Sequence, residues 1–185
     1  MHYVVQVVGG QERPTRALCE RILAPNSYQR CYLPLCEKMK KCQGQWRKTQ
    51  EILFPGYLFF ETSEIDALAA ELKKIPRFTK LLGSGEFQPL SPDDIMMIDH
   101  LTGKERVLTV SIGYIIDDVI TVIDGPLAGF EGSIKKIDRH KRAALVDLTF
   151  CGRTIRAKVG LEIVKKASTA EKPREAASAD RGRCL

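Results

Sequence analysis

Between residues 135 and 158 eight lysine and arginine side chains stand against two acids, Asp138 and Asp147. A window of that kind can hold the phosphates of a polyanion, with an affinity that falls as salt rises, because each neutralised phosphate releases condensed counterion. Its members are Lys135, Lys136, Arg139, Lys141, Arg142, Arg153, Arg156 and Lys158, with His140 between them. A solvated basic face is the other use of the same residues. The remaining chemistry-bearing side chains form no comparable group. Six cysteines, at 19, 31, 36, 42, 151 and 184, include no Cys-x-x-Cys pair, and the nearest ligand-like spacing, Cys31, Cys36 and Cys42, has no histidine close by. Reduced thiols, several buried as small hydrophobes, are expected rather than a metal site or a disulfide framework. His100 and His140 carry no catalytic signature, and no Walker-type or dinucleotide glycine loop is present. The expectation is a protein without enzymatic activity or cofactor.

The charge is unevenly spread. The chain carries 29 basic and 23 acidic residues, a net of +6, while residues 1 to 108 hold 15 and 13, residues 109 to 166 hold 10 and 7, and the rest hold 4 and 3. One window therefore matches the whole excess. No apolar run approaches the ~20 residues of a membrane helix. The start of the chain lacks a basic segment, a long apolar stretch and a small-residue cleavage site. A cytoplasmic monomer without membrane contact is expected.

The elements that must position these residues fall into two groups. His2 to Val8 reads as a strand, followed by a helix with Leu18, Cys19, Ile22 and Leu23 on its inner face and Pro14 in its first turn. Arg30 to Glu37 and Glu51 to Glu61 read as strands joined by a basic hairpin tip, Lys38 to Lys48, with Pro55-Gly56 marking a bulge or edge. Past that bulge Tyr57 and Phe59 share one face and Leu58 and Phe60 the other. Ile65, Leu68, Leu72 and Ile75 form one stripe of a helix, and Phe78 to Leu82 can follow as a strand. Ser91-Pro92-Asp93-Asp94 starts a further helix with core residues Ile95, Ile98 and Leu101. These elements make an α+β domain around a largely antiparallel sheet, residues 1 to 105. Residues 106 to 114 are expected as a linker. Ile115-Ile116, Val119 to Ile123, Ser133 to Ile137, Ala143 to Phe150, Thr154 to Val159 and Leu161 to Val164 supply a small five-stranded β-barrel over residues 115 to 166. The segment 167 to 185 has almost nothing apolar to bury and is expected to be disordered.

Two segments carry a family resemblance. Leu53-Phe54-Pro55-Gly56-Tyr57-Leu58-Phe59, after His2-Tyr3-Val4-Val5-Gln6, and Asp124-Gly125-Pro126-Leu127-Ala128-Gly129-Phe130-Glu131-Gly132 resemble NusG-type transcription elongation factors. The first is similar to that family's N-terminal domain and the second to its KOW domain, an SH3-like barrel. Ile75-Pro76-Arg77-Phe78 and Gly152-Arg153 also fall where the family would have them, so the resemblance spans roughly residues 2 to 166. Within the family, Asp138-Arg139-His140-Lys141-Arg142 followed by Val159-Gly160-Leu161-Glu162-Ile163-Val164 most resembles the specialised antitermination paralogue LoaP.

The resemblance implies a factor that rides on RNA polymerase, docked on the clamp helices of the largest subunit, and suppresses pausing and termination. The docking patch it implies is Tyr57, Phe59 and Leu81, with Gln6 in place of an aromatic found in some relatives; core packing is the competing role for each aromatic. For the basic window it implies RNA, with a nascent hairpin as the ligand. The family's contact to the polymerase gate loop finds only Leu68-Ala69-Ala70-Glu71 and is not carried over. Where the family commonly has an aromatic directly before Gly-Arg for binding Rho or a ribosomal small-subunit protein, this chain has Cys151, with Phe150 one place earlier. A one-residue shift in a strand changes its face unless the turn compensates, which puts Rho binding and ribosome coupling in doubt. A general NusG elongation and termination factor, and a KOW-type RNA-binding module without a polymerase role, are the alternatives.

Overall fold

The computed structural model describes residues 1–75, 78–81 and 89–164, the stretch Phe78–Leu81 by its backbone. Pro76 and Arg77 and the segment expected to be disordered from Ala167 onward lie outside the described residues. The architecture is mixed α+β, with an α/β N-terminal part and a β-rich C-terminal part.

Four strands form the first sheet, in the order β2 (Arg30–Tyr32), β5 (Tyr57–Glu61), β1 (His2–Val7) and β6 (Phe78–Leu81). Every pairing in it is antiparallel, so alternate side chains line two faces. On one face Leu58 and Phe60 pack with Val5, Val7, Cys31 and Leu33 against α1 (Glu12–Ile22) and α2 (Ile65–Leu72), which contribute Cys19, Leu68 and Leu72. The inner face of α1 runs through Thr15 and Cys19, so Ile22, expected inward, is 39% exposed. α2 ends at Leu72, and Ile75 is buried beyond its last turn.

The opposite face meets α3 (Pro92–Thr102). Its start is the one the sequence describes: Ser91 Oγ accepts the Asp94 N–H at 3.1 Å, with Pro92 in the first turn. Ile98 and Leu101 are buried against Val4, Phe54 and Phe59.

The basic stretch expected as a hairpin tip is a regular ladder, β3 (Leu35–Cys42) paired with β4 (Gln45–Ile52), leaving only Gln43-Gly44 as the turn. Alternation of long polar side chains suits a two-stranded ribbon with both faces wet, which is why charge concealed the strands. β4 and β5 belong to different sheets, and the Leu53-Phe54-Pro55-Gly56 crossing between them supplies two fully buried side chains, Leu53 and Phe54.

Residues expected as linker are largely strand. β7 (Val107–Leu108) pairs in parallel with β3, and β8 (Ser111–Ile116) pairs in parallel with β12 (Arg153–Ile163) and antiparallel with β9 (Val119–Asp124). The five-stranded sheet of the C-terminal part has the order β10 (Ile134–Asp138), β11 (Ala143–Phe150), β12, β8, β9. β12 joins what the sequence divides at Gly160 into two strands. That glycine marks a close approach, since a Cβ there would sit 2.9 Å from the Glu37 carbonyl oxygen and 2.8 Å from Val110 Cγ2. β12 thus crosses directly over β3. In the Asp124-Gly125-Pro126 turn, Gly125 has φ 96° and lies against Ser111, whose Oγ accepts the Leu127 N–H at 3.1 Å.

Candidate functional site

Gln6 and Tyr57 are cross-strand partners on β1 and β5, and Phe59 lies two residues along the same face. Leu81, expected on the same patch, stands opposite Val5 in a row of the other face, and Lys80 is the residue opposite Gln6. The face is not open. Phe59 is fully buried, among Tyr32, Phe54, the α3 side chains and Phe150 of the C-terminal sheet, and Tyr57 is half-buried beside Phe150. The Phe150 ring centre is 5.6 Å from that of Phe59 and 5.8 Å from that of Tyr57, edge-on to the latter. Such offset and edge contacts suit the ring quadrupoles.

Phe150 reaches this position through the turn after it. Cys151 and Gly152 both have positive φ, 49° and 69°, which makes a two-residue hairpin, and Phe150 pairs directly with Arg153. The tight turn leaves Phe150 as the last inward-facing residue of β11, in line with Leu148 and Val146, all buried. Polar contacts rim this apolar centre. Asp94 accepts the Cys151 N–H at 3.2 Å, Glu37 accepts the Val110 N–H at 3.3 Å, the His100 ring lies 5.2 Å from that of Phe130, and the Arg142 guanidinium is 4.8 Å from the Trp46 ring centre. Burial, reinforced by Asp94, pushes the Cys151 thiol up to about 11, so it is no nucleophile near neutral pH. The hydrogen bond with Cys19, and after it burial, push the Cys31 thiol up as well.

The basic residues divide by environment. Lys135, Lys136, Arg139, His140, Lys141, Arg153, Arg156 and Lys158 are exposed, while Arg142 is half-buried and bonded to Glu162 at 3.0 Å. Arg156 is committed to Asp147 through two bonds of 2.7 and 3.0 Å, which hold the Asp147 carboxyl below its usual range. Lys136 and Lys158 flank Leu145 on adjacent strands, so they share an outer face. Neither they nor Arg139 and Arg153 form an ion pair among the described residues. The sequence therefore names mostly exposed basic residues but overcounts their free charges, because Lys141, Arg142 and Arg156 meet acids of the same fold. It also passes over Phe54, Trp46 and the role of Phe150. A tryptophan inside a basic ribbon was the available signal for the second of these.

No group of three or more potential metal ligands gathers among the described residues, and none of their helices is long and apolar enough to cross a membrane.

Residues 1–99 match the family model described as "Transcription termination factor nusG", and residues 116–147 match the KOW motif. The chain belongs to the NusG family. Among its relatives are the transcription termination/antitermination proteins NusG of Thermus thermophilus, 26% identical over 89% of this chain and 97% of that protein, and of Bacillus subtilis, 28% identical over 82% and 89%. A solved structure described as "Domain interaction in Thermotoga maritima NusG" is similar at a TM-score of 0.56 and 25% identity, covering 87% of this chain and 92% of the other. NusG-family membership accounts for the two-part α+β fold and for the two motifs that flank the joint. Factors of this family are generally not enzymes.

Proposed function

We propose that this chain is a specialised transcription antitermination factor of the LoaP type, with an N-terminal polymerase-binding domain of residues 1–105 and an RNA-binding barrel of residues 115–166. The observation that carries the RNA half is the free basic surface of the barrel, where Lys136, Lys158, Arg139 and Arg153 lack acidic partners among the described residues. A field of that sign attracts phosphate. The polymerase half rests on Gln6, Tyr57 and Phe59 as the surface for the clamp helices of the largest subunit, without Leu81, whose register position is in a row of the other face. In the closed arrangement Phe150 covers that surface, so docking requires the barrel to leave it. Cys151, not an aromatic, stands directly before Gly152-Arg153, and in the closed arrangement Phe150 is buried as well. The first of these, which release of the barrel does not change, favours the specialised reading over a general elongation and termination factor, which is the second reading.

The test is transcription by purified RNA polymerase across a terminator placed downstream of the native leader. Wild type should raise readthrough, and Lys135→Ala, Lys136→Ala, Arg139→Ala and Arg153→Ala combined should abolish the gain while leaving the fold intact, since exposed charges contribute little to stability. Equal readthrough by the two would remove the RNA half. Rho retention equal to that of a general NusG would remove the specialised reading.

A further inference from the structure

The β3–β4 ribbon and the barrel face one another across a groove of about 450 Å³. Lys38, Lys40 and Lys41 line it from the ribbon, and Lys141 and Lys158 from the barrel, with Trp46 beside them. Among the described residues Glu51 is the only acid in its wall, and Lys38 is bonded to it, while Lys141 meets Asp138, outside the wall, at 3.7 Å. Lys40 and Lys41 are exposed and form no ion pair among the described residues. Trp46 is half exposed, directly opposite Lys41 in the ladder, and held in place by the Arg142 guanidinium over its ring.

We infer that this groove is a binding site for a single strand of nucleic acid, with phosphates on the lysines of both walls and an unpaired base stacked on Trp46. The inference rests on the RNA-binding reading of the barrel and extends it to the ribbon of the first domain. Three features point to a single strand rather than a duplex or a protein. A positively charged track with an aromatic along it is how such strands are held without sequence readout. Inside a duplex both faces of a paired base are covered by its stacked neighbours, which leaves none for an indole. An acidic peptide would answer the lysines but would leave the ring without a matching planar partner. The joint between the domains assembles the site, because Arg142, Lys141 and Lys158 reach Trp46 and the ribbon lysines only when the barrel is seated.

Trp46 is the single tryptophan of the chain, so its fluorescence reports this groove and nothing else. The experiment titrates the full chain with a ten-nucleotide uridine oligomer, the matching deoxythymidine oligomer, and an RNA hairpin without single-stranded ends. The uridine or deoxythymidine strand, or both, should quench Trp46 saturably, and the comparison of the two identifies the sugar preferred. Trp46→Ala should weaken strand binding roughly ten-fold, Trp46→Phe should recover most of that, and Lys40→Ala with Lys41→Ala should weaken it and lower its salt dependence. Binding by the Trp46 and lysine variants is read by the anisotropy of labelled strand. The combined Lys135, Lys136, Arg139 and Arg153 variant, whose changes lie outside the groove lining, separates the two ideas. If it alone loses RNA while the ribbon variants bind like wild type and Trp46 is unquenched, the barrel reading stands and the groove is refuted. If no oligomer binds wild type, both fall. Quenching by the hairpin alone also refutes the single-strand assignment.

Discussion

The ring of Phe150 stacks on that of Phe54 with centres 4.8 Å apart and planes 24° from parallel, joining the last residue of β11 to the crossing that leads into β5. One aromatic column therefore runs from the barrel through Phe54 and Phe59 to Tyr32, so the two domains share a core.

Phe150→Ala should open the joint. Removing a buried phenyl ring costs about 3–5 kcal/mol where the site cannot adjust, and here separation of the domains relieves part of that. The radius of gyration from small-angle scattering should rise, and polymerase affinity should increase several-fold, because a smaller share of the protein is closed. An unchanged radius together with unchanged affinity would show that Phe150 does not keep the face covered.

Tyr57→Ala should weaken polymerase binding by about 2 kcal/mol, as truncation of a central interface aromatic often does. The measurement belongs in the Phe150→Ala background, where the face is accessible in both proteins. Phe59→Ala is a poor substitute, since a fully buried ring tests stability before it tests docking. Equal affinity with and without Tyr57 would move the docking surface elsewhere.

Arg106 ties three elements together. Its guanidinium lies 4.7 Å from the Tyr32 ring centre, meets Glu61 at 3.0 Å and bonds Asp99. Arg106→Met should lower the stability measured by urea unfolding by about 2 kcal/mol, less than for a fully buried pair because Asp99 is half exposed. Arg106→Lys should not restore it, because one ammonium cannot serve two carboxylates and a ring face at once. Full rescue by lysine would reduce the contact to simple charge.

Glu12 is a buried acid at the start of α1, and its carboxylate accepts the Gly56 N–H at 2.7 Å just before Tyr57. Burial on its own raises its pKa, but hydrogen bonds from the Glu12, Gly56 and Gly10 N–H groups outweigh burial and hold the carboxyl below its usual range. The folded protein then binds this proton less readily than the unfolded chain does. The resulting stability is present above the ordinary carboxylate pKa and is lost as pH falls through the lowered value. Glu12→Gln should lower the melting temperature at neutral pH and flatten its fall in acid. Parallel melting curves against pH for the two proteins would exclude this contribution.

The parts visible in the sequence are those where local chemistry and tertiary demand coincide. Ser91 caps α3, β11 begins and ends where alternation begins and ends, and β5 divides its aromatics between two faces as its period requires. What escaped depends on contacts between distant segments. Gly160 reads locally as a strand break, yet it is where β12 passes over β3. Val107–Leu108 is too short and mixed to signal a strand, and it exists because β3 offers an edge. Phe150 looks misplaced by one residue until the turn at Cys151-Gly152 fixes its direction. For the basic window, sequence gave the residue types but could not tell which cations the fold had already paired.

Only Thr109 and Val110 separate β7, anchored on the first domain, from β8, anchored in the barrel. So short a tether keeps the barrel at an effective concentration on the order of millimolar or higher beside the face it covers. A competitor arriving from solution at micromolar levels faces a rival that never diffuses away, and affinity for the uncovered face alone leaves it outnumbered. The joint therefore acts as a threshold: a binder that engages this face and a second part of the chain together can cross it, and one that offers a single contact is turned away.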